Sequence, residues 1–157
     1  MVASHSVFQL VYMSLAVRAF SVPELDELLR TARKRNAELA VTGMLLYEGG
    51  AFIQALEGTE ADVVALYQAI TQDPRHRAAT VLWSGHIAAR SFGEWTMGFV
   101  SADGSKLRDA DGYRDFFANG GTQASSWTNP TRATELLRDF RDLPWRQLME
   151  QARVAGP

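Results

Sequence analysis

Alternating apolar and polar positions predict five strands in the first hundred residues. They are expected at residues 7–14, 40–47, 51–57, 79–87 and 95–100. In the first strand the alternation places Tyr12 on the apolar face, because successive side chains of a strand point to opposite sides. The second and third strands are separated only by Glu48-Gly49-Gly50, and glycines accept the positive φ of a tight turn. These two strands are therefore predicted to form a hairpin.

Two helices are predicted between the strands. Ser21 and Glu24 have the spacing of a capping box, and apolar residues then recur at helical spacing to about Asn36. A second helix should begin at Thr59, which is followed by an acidic residue three positions later. Its apolar stripe ends before Asp73-Pro74, where proline disfavours a helical residue ahead of it.

The order of these elements, βαββαββ, resembles a ferredoxin-like α+β sandwich with both helices on one face of the sheet. We assign residues 1–104 to this domain. Residues 105–157 are predicted to be a helical extension that packs on the sheet, with short helices at residues 107–118, 132–141 and 145–152.

Composition excludes several classes of protein. The chain has 157 residues, 16 basic and 18 acidic side chains and a formal net charge of −2, so that no basic face suggests nucleic acid as a partner. The absence of cysteine excludes disulfides, thiolate metal sites and cysteine nucleophiles. No apolar run reaches membrane-spanning length, and the amino terminus has no signal-peptide pattern. We expect a cytoplasmic protein that does not associate with membranes.

Three polar side chains are predicted to converge on the apolar surface of this fold. Gln54 lies between Phe52 and Leu56 on one face of its strand, where an unpaired amide would cost ~1–3 kcal/mol. Tyr12 and Asn36 are expected on the same inner surface. Each residue alone could be a core side chain with a local partner, and Asn36 could simply cap the end of its helix. Their convergence instead suggests a ligand with a polar edge.

Six segments in this order resemble a BLUF domain, the flavin-binding module of blue-light sensors. They are residues 11–14 (VYMS), 32–36 (ARKRN), 41–47 (VTGMLLY), 52–58 (FIQALEG), 73–76 (DPRH) and 95–98 (WTMG). The resemblance covers roughly residues 6–100. It implies a noncovalently bound oxidised flavin, with FAD expected first and FMN or riboflavin as alternatives.

The resemblance also implies roles for individual side chains. Tyr12 matches the tyrosine that gives an electron and then a proton to the excited flavin, and Gln54 matches the amide between that phenol and the flavin N5/O4 edge. These two form the photoactive pair. The other matched positions are expected to surround the flavin: Ser14, Asn36, Arg75, His76, Trp95 and Met97, with the Ser14 hydroxyl close to the tryptophan or glutamine side chain. Arg35 is also expected there, although the family more commonly has an uncharged polar residue or histidine at this position.

Simpler interpretations exist for several of these residues. Arg33, Lys34 and Arg35 would suit a solvated cationic turn at the end of the helix, where they would complement its dipole. His76 would be a surface histidine in a loop, and three scattered histidines suggest no metal site. Trp95 and Met97, at strand spacing, would fill the core.

We therefore predict a blue-light photoreceptor and no enzymatic turnover. Light should rearrange Gln54, red-shift the flavin absorption and reach the carboxy-terminal helices through the last strand. Output would require self-association, as a dimer or larger oligomer, or a separate signalling protein. Two alternatives are a flavin-dependent redox enzyme, for which no dinucleotide motif is found, and a ligand-free ferredoxin-like interaction module.

Overall fold

The computed structural model describes residues 7–18, 20–48, 50–93, 97–101 and 132–142. Its elements follow the predicted order. They are β1 (Val7–Ala16), α1 (Val22–Leu39), β2 (Thr42–Glu48), β3 (Ala51–Gly58), α2 (Glu60–Thr71), β4 (His76–Ile87), β5 (Gly98–Ser101) and α3 (Arg132–Asp142). The predicted α+β class and the βαββαββ order are confirmed.

The strands form one five-stranded sheet in the order β4-β1-β3-β2-β5. β1 pairs antiparallel with β3 and β4, β2 and β3 form the predicted hairpin, and β5 runs parallel to β2. In the hairpin turn Gly50 has a φ of +83°, a conformation that side chains disfavour. β1, β3 and β2 are the inner strands, and every residue of β3 is buried.

α1 begins as the sequence predicts and ends later. The side chain of Ser21 accepts from the backbone N–H of Glu24, and the Glu24 side chain accepts from the backbone N–H of Ser21. The helix continues to Leu39 and ends at Ala40, which has a φ of 56°. Asn36 therefore lies within the helix and does not cap it. The cationic residues before Asn36 also lie outside the last turn, so that the interpretation as a helix-end cationic turn was wrong.

The sheet separates two apolar clusters. The first, on what we call the helix face, contains side chains of α1, α2, β1, β2 and β3 together with Met97. The second, on the reverse face, contains the alternate residues of β1, β2 and β3 together with Phe92 and α3. Because side chains alternate along a strand, each inner strand contributes to both clusters.

Some element boundaries differ from the prediction. β4 begins at His76, so that this residue lies in a strand and not in a loop. β5 begins at Gly98, and Met97 precedes it. The predicted helix near residues 132–141 is confirmed by α3. The predicted helices at 107–118 and 145–152, and Trp95, lie outside the described residues. Among the helices that can be described, none combines the length and apolarity needed to cross a membrane.

Candidate functional site

Two buried polar side chains face each other across the inner strands. Tyr12 of β1 and Gln54 of β3 are register partners, and the Tyr12 hydroxyl donates to Gln54 Oε1 at 2.5 Å. The other end of the same amide, Nε2, lies 3.4 Å from Met97 Sδ. All three residues are buried. The acceptor end of Gln54 is therefore directed to the phenol and its donor end to the thioether.

This pair lies at the base of a cleft of about 500 Å³, measured to include its open mouth. Residues of α1, α2, the sheet and the start of β4 line the cleft. The apolar lining residues are Leu28, Ala32, Leu45, Phe52 and Ile70, and the polar ones are Tyr12, Thr31, Arg35, Gln54, Asp73, Arg75 and His76. Apolar walls with a few converging polar groups are typical of sites that bind a cofactor.

Burial controls the electrostatics at the base of the cleft. It raises the pKa of Tyr12, with a smaller contribution from Tyr67, while the nearby Arg35 guanidinium acts in the opposite direction. Tyr12 therefore keeps its proton at neutral pH. Burial also lowers the pKa of Arg35, and within the described part of the chain Arg35 Nε has no hydrogen-bond partner. A buried N–H group without a partner favours a ligand that offers an acceptor.

The rim of the cleft carries a separate hydrogen-bonded group. Asp73 and Arg75 form an ion pair at 2.6 Å, and the hydrogen bonds from Arg75 lower the pKa of Asp73 to about 2. His76 Nδ1 lies 2.9 Å from Ser14 Oγ, and its ring packs against Phe52 at a centroid distance of 5.0 Å. Burial lowers the pKa of His76, which favours its neutral form.

The structure brings most of the predicted site residues together. Tyr12, Gln54, Arg35, Arg75 and His76 line the cleft. Ser14 was expected near the glutamine or tryptophan side chain, and in the structure its described partner is His76. Met97 contacts Gln54.

Asn36 is fully buried on α1, in the helix that lines the cleft, although it is not itself a lining residue. Its contact with a flavin stays a prediction. The predicted role of Trp95 lies outside the described residues. The described residues hold no group of three His, Cys, Asp or Glu side chains that could bind a metal ion.

The sequence patterns did not predict the buried carboxylate of Glu57 on the reverse face. Glu57 is 0% exposed and accepts from Gln9 Nε2 at 2.7 Å and from Thr42 Oγ1 at 3.0 Å. It also accepts from the backbone N–H groups of Ser91 at 2.6 Å and Phe92 at 3.0 Å. Burial raises its pKa, and the four hydrogen bonds act against that shift. The available signal was a glutamate on the same face of β3 as the apolar residues Ile53 and Ala55.

Comparisons with known proteins agree with this geometry. The family model described as "BLUF: Sensors of blue-light using FAD" matches residues 7–98. Photoactivated adenylate cyclase subunit beta of Euglena longa is 44% identical over 89 residues, which are 56% of this chain and 10% of that protein. The blue light- and temperature-regulated antirepressor BluF of Escherichia coli K12 is 34% identical over 131 residues, 83% of this chain and 32% of that protein.

Solved structures of BLUF-containing proteins also superpose on this chain. The dark-state structure of BlrB, a BLUF protein, superposes with a TM-score of 0.63 at 29% identity, covering 88% of this chain and 97% of that one. Klebsiella pneumoniae BlrP1 with FMN and cyclic diGMP superposes with a TM-score of 0.69 at 29% identity, covering 87% of this chain and 34% of that one.

The chain spans only about a tenth of the Euglena cyclase subunit and a third of the Escherichia coli antirepressor. The family model nevertheless matches more than half of the chain, and the matched residues include β1 to β4, both helices of the helix face and Met97. The chain therefore belongs to the BLUF family of flavin-binding blue-light sensors.

Proposed function

We propose that Tyr12 and Gln54 convert light absorption by a bound flavin into a change of hydrogen bonding. The observation that carries this proposal is the hydrogen bond from the Tyr12 hydroxyl to Gln54 Oε1 at the base of the cleft. A phenol is a source of an electron and a proton, and an amide can exchange its donor and acceptor ends without moving the backbone. Both groups occupy the inner strands, where the surrounding packing holds them in place.

The cleft residues fit a flavin. The apolar side chains from α1, α2 and the sheet suit the faces of an aromatic ring. Gln54 Nε2 and the buried Arg35 Nε are N–H donors suited to its polar edge, which carries carbonyl oxygens. FAD, FMN and riboflavin share this ring. We propose FAD, as in the family description, with FMN or riboflavin as alternatives.

Tyr12 is suited to release its proton only after it has lost an electron. When bound, an oxidised flavin supplies the blue-absorbing ring and, once excited, an acceptor for one electron and one proton. The raised pKa of Tyr12 keeps the phenol protonated in the dark, and oxidation makes that proton strongly acidic. Gln54 Oε1 would accept this proton, and Gln54 Nε2 would give up one of its own to the bound flavin. Tyr12 would be restored when the electron and one proton return to it from the flavin, with Gln54 left rotated or in its tautomeric form.

Rearrangement of Gln54 changes what its two ends contact. In the structure, which we take as the dark arrangement, Nε2 faces the thioether of Met97, a weak acceptor, so that this contact can break readily. A donor redirected to the flavin O4 would lower the energy of the excited state relative to the ground state. The expected optical result is a small red shift.

We propose that the signal leaves through the sheet as well as the last strand. Val11 and Met13 flank Tyr12, and Ile53 and Ala55 flank Gln54 on the opposite strand. These four side chains belong to the reverse-face cluster, whose members in α3 are Ala133, Leu136, Leu137 and Phe140. A shift of β1 against β3 would therefore reach α3 through a single layer of side chains. Such coupling requires an element with two arrangements.

The output is proposed to be a change in contacts with a second copy of the chain or with another protein. No catalytic turnover is proposed. The Euglena relative is a cyclase subunit, but its matched region is a tenth of that protein, so that its activity gives no reason to assign a cyclase here.

The test uses Tyr12→Phe, with Tyr67→Phe as its matched control. Tyr67 packs against Tyr12 with ring centroids 5.1 Å apart, so that both substitutions remove a hydroxyl from the same region. Tyr12→Phe is expected to keep the flavin bound and to lose the light-induced red shift, whereas Tyr67→Phe keeps the shift. A normal, reversible red shift in Tyr12→Phe would disprove the role of this phenol.

A further inference from the structure

A cationic side chain of α1 holds the backbone at the entry to β5. Arg33 Nε donates to the backbone oxygen of Met97 at 2.8 Å. The two residues are 64 positions apart, and the contact joins a helix that lines the cleft to the residue just before β5. Arg33 is partly buried, and its N–H donates to a backbone carbonyl, which is a strong acceptor.

Met97 is also fixed through its side chain. Its sulfur lies 3.4 Å from Gln54 Nε2, and the residue is fully buried. Its methyl group packs over Gly43 of β2: a Cβ added at Gly43 would lie 3.1 Å from Met97 Cε, as well as 2.0 Å from the backbone oxygen of Ala55. The Ala55 backbone oxygen and the Met97 methyl group together thus occupy the space beside Gly43.

Two contacts of different strength hold Met97 in place, one at its backbone oxygen and one at its sulfur. A thioether accepts hydrogen bonds weakly and can rotate about several bonds, so that the contact with Gln54 cannot by itself hold Met97. The backbone bond from Arg33 is the stronger contact. It fixes the point from which the Met97 side chain extends towards Gln54.

We infer that Arg33 is a positioning residue for the Gln54 rearrangement, which it supports by anchoring the backbone of Met97. This inference rests on the proposed function, because it assigns Arg33 a role in that same hydrogen-bond change. In the dark arrangement the anchor keeps the Met97 sulfur next to Gln54 Nε2. Loss of the anchor would leave Gln54 without a fixed neighbour on its donor side and would weaken the dark arrangement.

Two substitutions separate the hydrogen bond from the charge. Arg33→Gln places an amide nitrogen at the same number of bonds from the backbone as Arg33 Nε, and so keeps a donor without the charge. Arg33→Met has a similar length and no donor. Lys34→Ala removes a cation from the neighbouring, exposed position and serves as the matched control. Met and Gln have helix propensities close to that of Arg, so that both variants should keep α1.

The experiment combines two measurements on the flavin-bound full chain. Methyl NMR of methionine-labelled protein, recorded in the dark, reports the surroundings of Met97 directly. The chain has 5 methionines and Arg33→Met adds a sixth, so Met97→Leu is made in both the wild type and Arg33→Met to assign the resonance. Absorption spectroscopy then follows the return from the illuminated state. In Arg33→Met we expect a shifted or broadened Met97 resonance and a recovery slowed by about fivefold, the effect of losing one hydrogen bond. Arg33→Gln and Lys34→Ala should resemble the wild type in both.

The other outcomes each contradict the inference. An unchanged Met97 resonance in Arg33→Met would show that Arg33 does not position Met97. A changed resonance with unchanged recovery would reduce Arg33 to a structural contact, and an Arg33→Gln variant that behaves like Arg33→Met would assign the effect to charge. If the wild type shows no light-induced absorption shift, both the proposed function and this role of Arg33 are wrong. The two failures can be told apart, because the NMR comparison of Arg33→Met with wild type needs no light.

Discussion

Tyr12 and Gln54 stand directly opposite each other in the antiparallel register of β1 and β3. A slip of one residue would move either side chain to the reverse face and break the hydrogen bond between them. Apolar neighbours on both faces of these inner strands prevent such a slip. The proposed photoactive pair therefore lies in strands whose register is fixed by packing on both faces.

The titration of His76 should contribute to the pH dependence of stability. Its folded-state pKa lies below the ordinary value of 6.5 because the ring is partly buried. The folded protein then binds fewer protons than the unfolded chain, so that this contribution to stability is complete above about pH 6.5 and is lost as the pH falls through the folded-state value. Thermal unfolding of wild type between about pH 7 and pH 5 should show a decrease that is smaller in His76→Gln.

If His76→Gln and wild type lose stability in parallel, the titration of His76 does not contribute.

Glu57 should be important for stability although it lies on the face away from the cleft. Glu57→Leu would leave the backbone N–H groups of Ser91 and Phe92 buried without their present acceptor. We expect a loss of roughly 3 kcal/mol in the free energy of unfolding, measured by urea titration. Glu38→Leu, at an exposed position of α1, should change it by less than about 0.5 kcal/mol. Equal effects of the two substitutions would contradict this role.

The carboxy-terminal end of α1 offers a stabilising substitution. Ala40 has a φ of 56°, a left-handed conformation that costs energy for any residue with a Cβ. Ala40→Gly should raise the free energy of unfolding by roughly 0.5–1 kcal/mol. Ala37→Gly, inside the same helix and exposed, should lower it by about 1 kcal/mol. A decrease of similar size in both variants would show that the left-handed cap carries no strain.

A sensor and a flavin-dependent redox enzyme differ in steady-state behaviour. If the cleft serves hydrogen-bond switching, the flavin-bound protein should show no sustained NADH oxidation with a small electron acceptor in the dark. The measurement is the absorbance of NADH over many equivalents of protein. Sustained turnover that is lost in Gln54→Leu would favour the enzyme.

The sequence predicted the strands and the two helices of residues 7–101 because these depend on local patterns, and the resemblance to the BLUF family implied the pair at the base of the cleft. Period-two alternation placed Tyr12 and Gln54 on the apolar face, and the capping signals at Ser21 and Thr59 are present in the structure. The structure adds that these two side chains are direct register partners.

Contacts between distant segments were not predictable in this way. Arg33 looked like part of a solvated helix end, whereas its partner Met97 lies 64 residues further along the chain. Glu57 looked like one member of a motif, and its backbone donors come from a segment that follows β4. In both cases an ionisable side chain is partly or fully buried because of partners that only the folded topology supplies.

The most direct test of the central claim is the light-minus-dark absorption spectrum of Gln54→Leu beside wild type. Leucine keeps most of the side-chain volume and removes both the acceptor for Tyr12 and the donor that faces Met97. Gln68→Leu, at an exposed position of α2, controls for the chemical change. The account predicts a reversible red shift in wild type and Gln68→Leu and none in Gln54→Leu, with flavin bound in all three. A normal, reversible red shift in Gln54→Leu would contradict it.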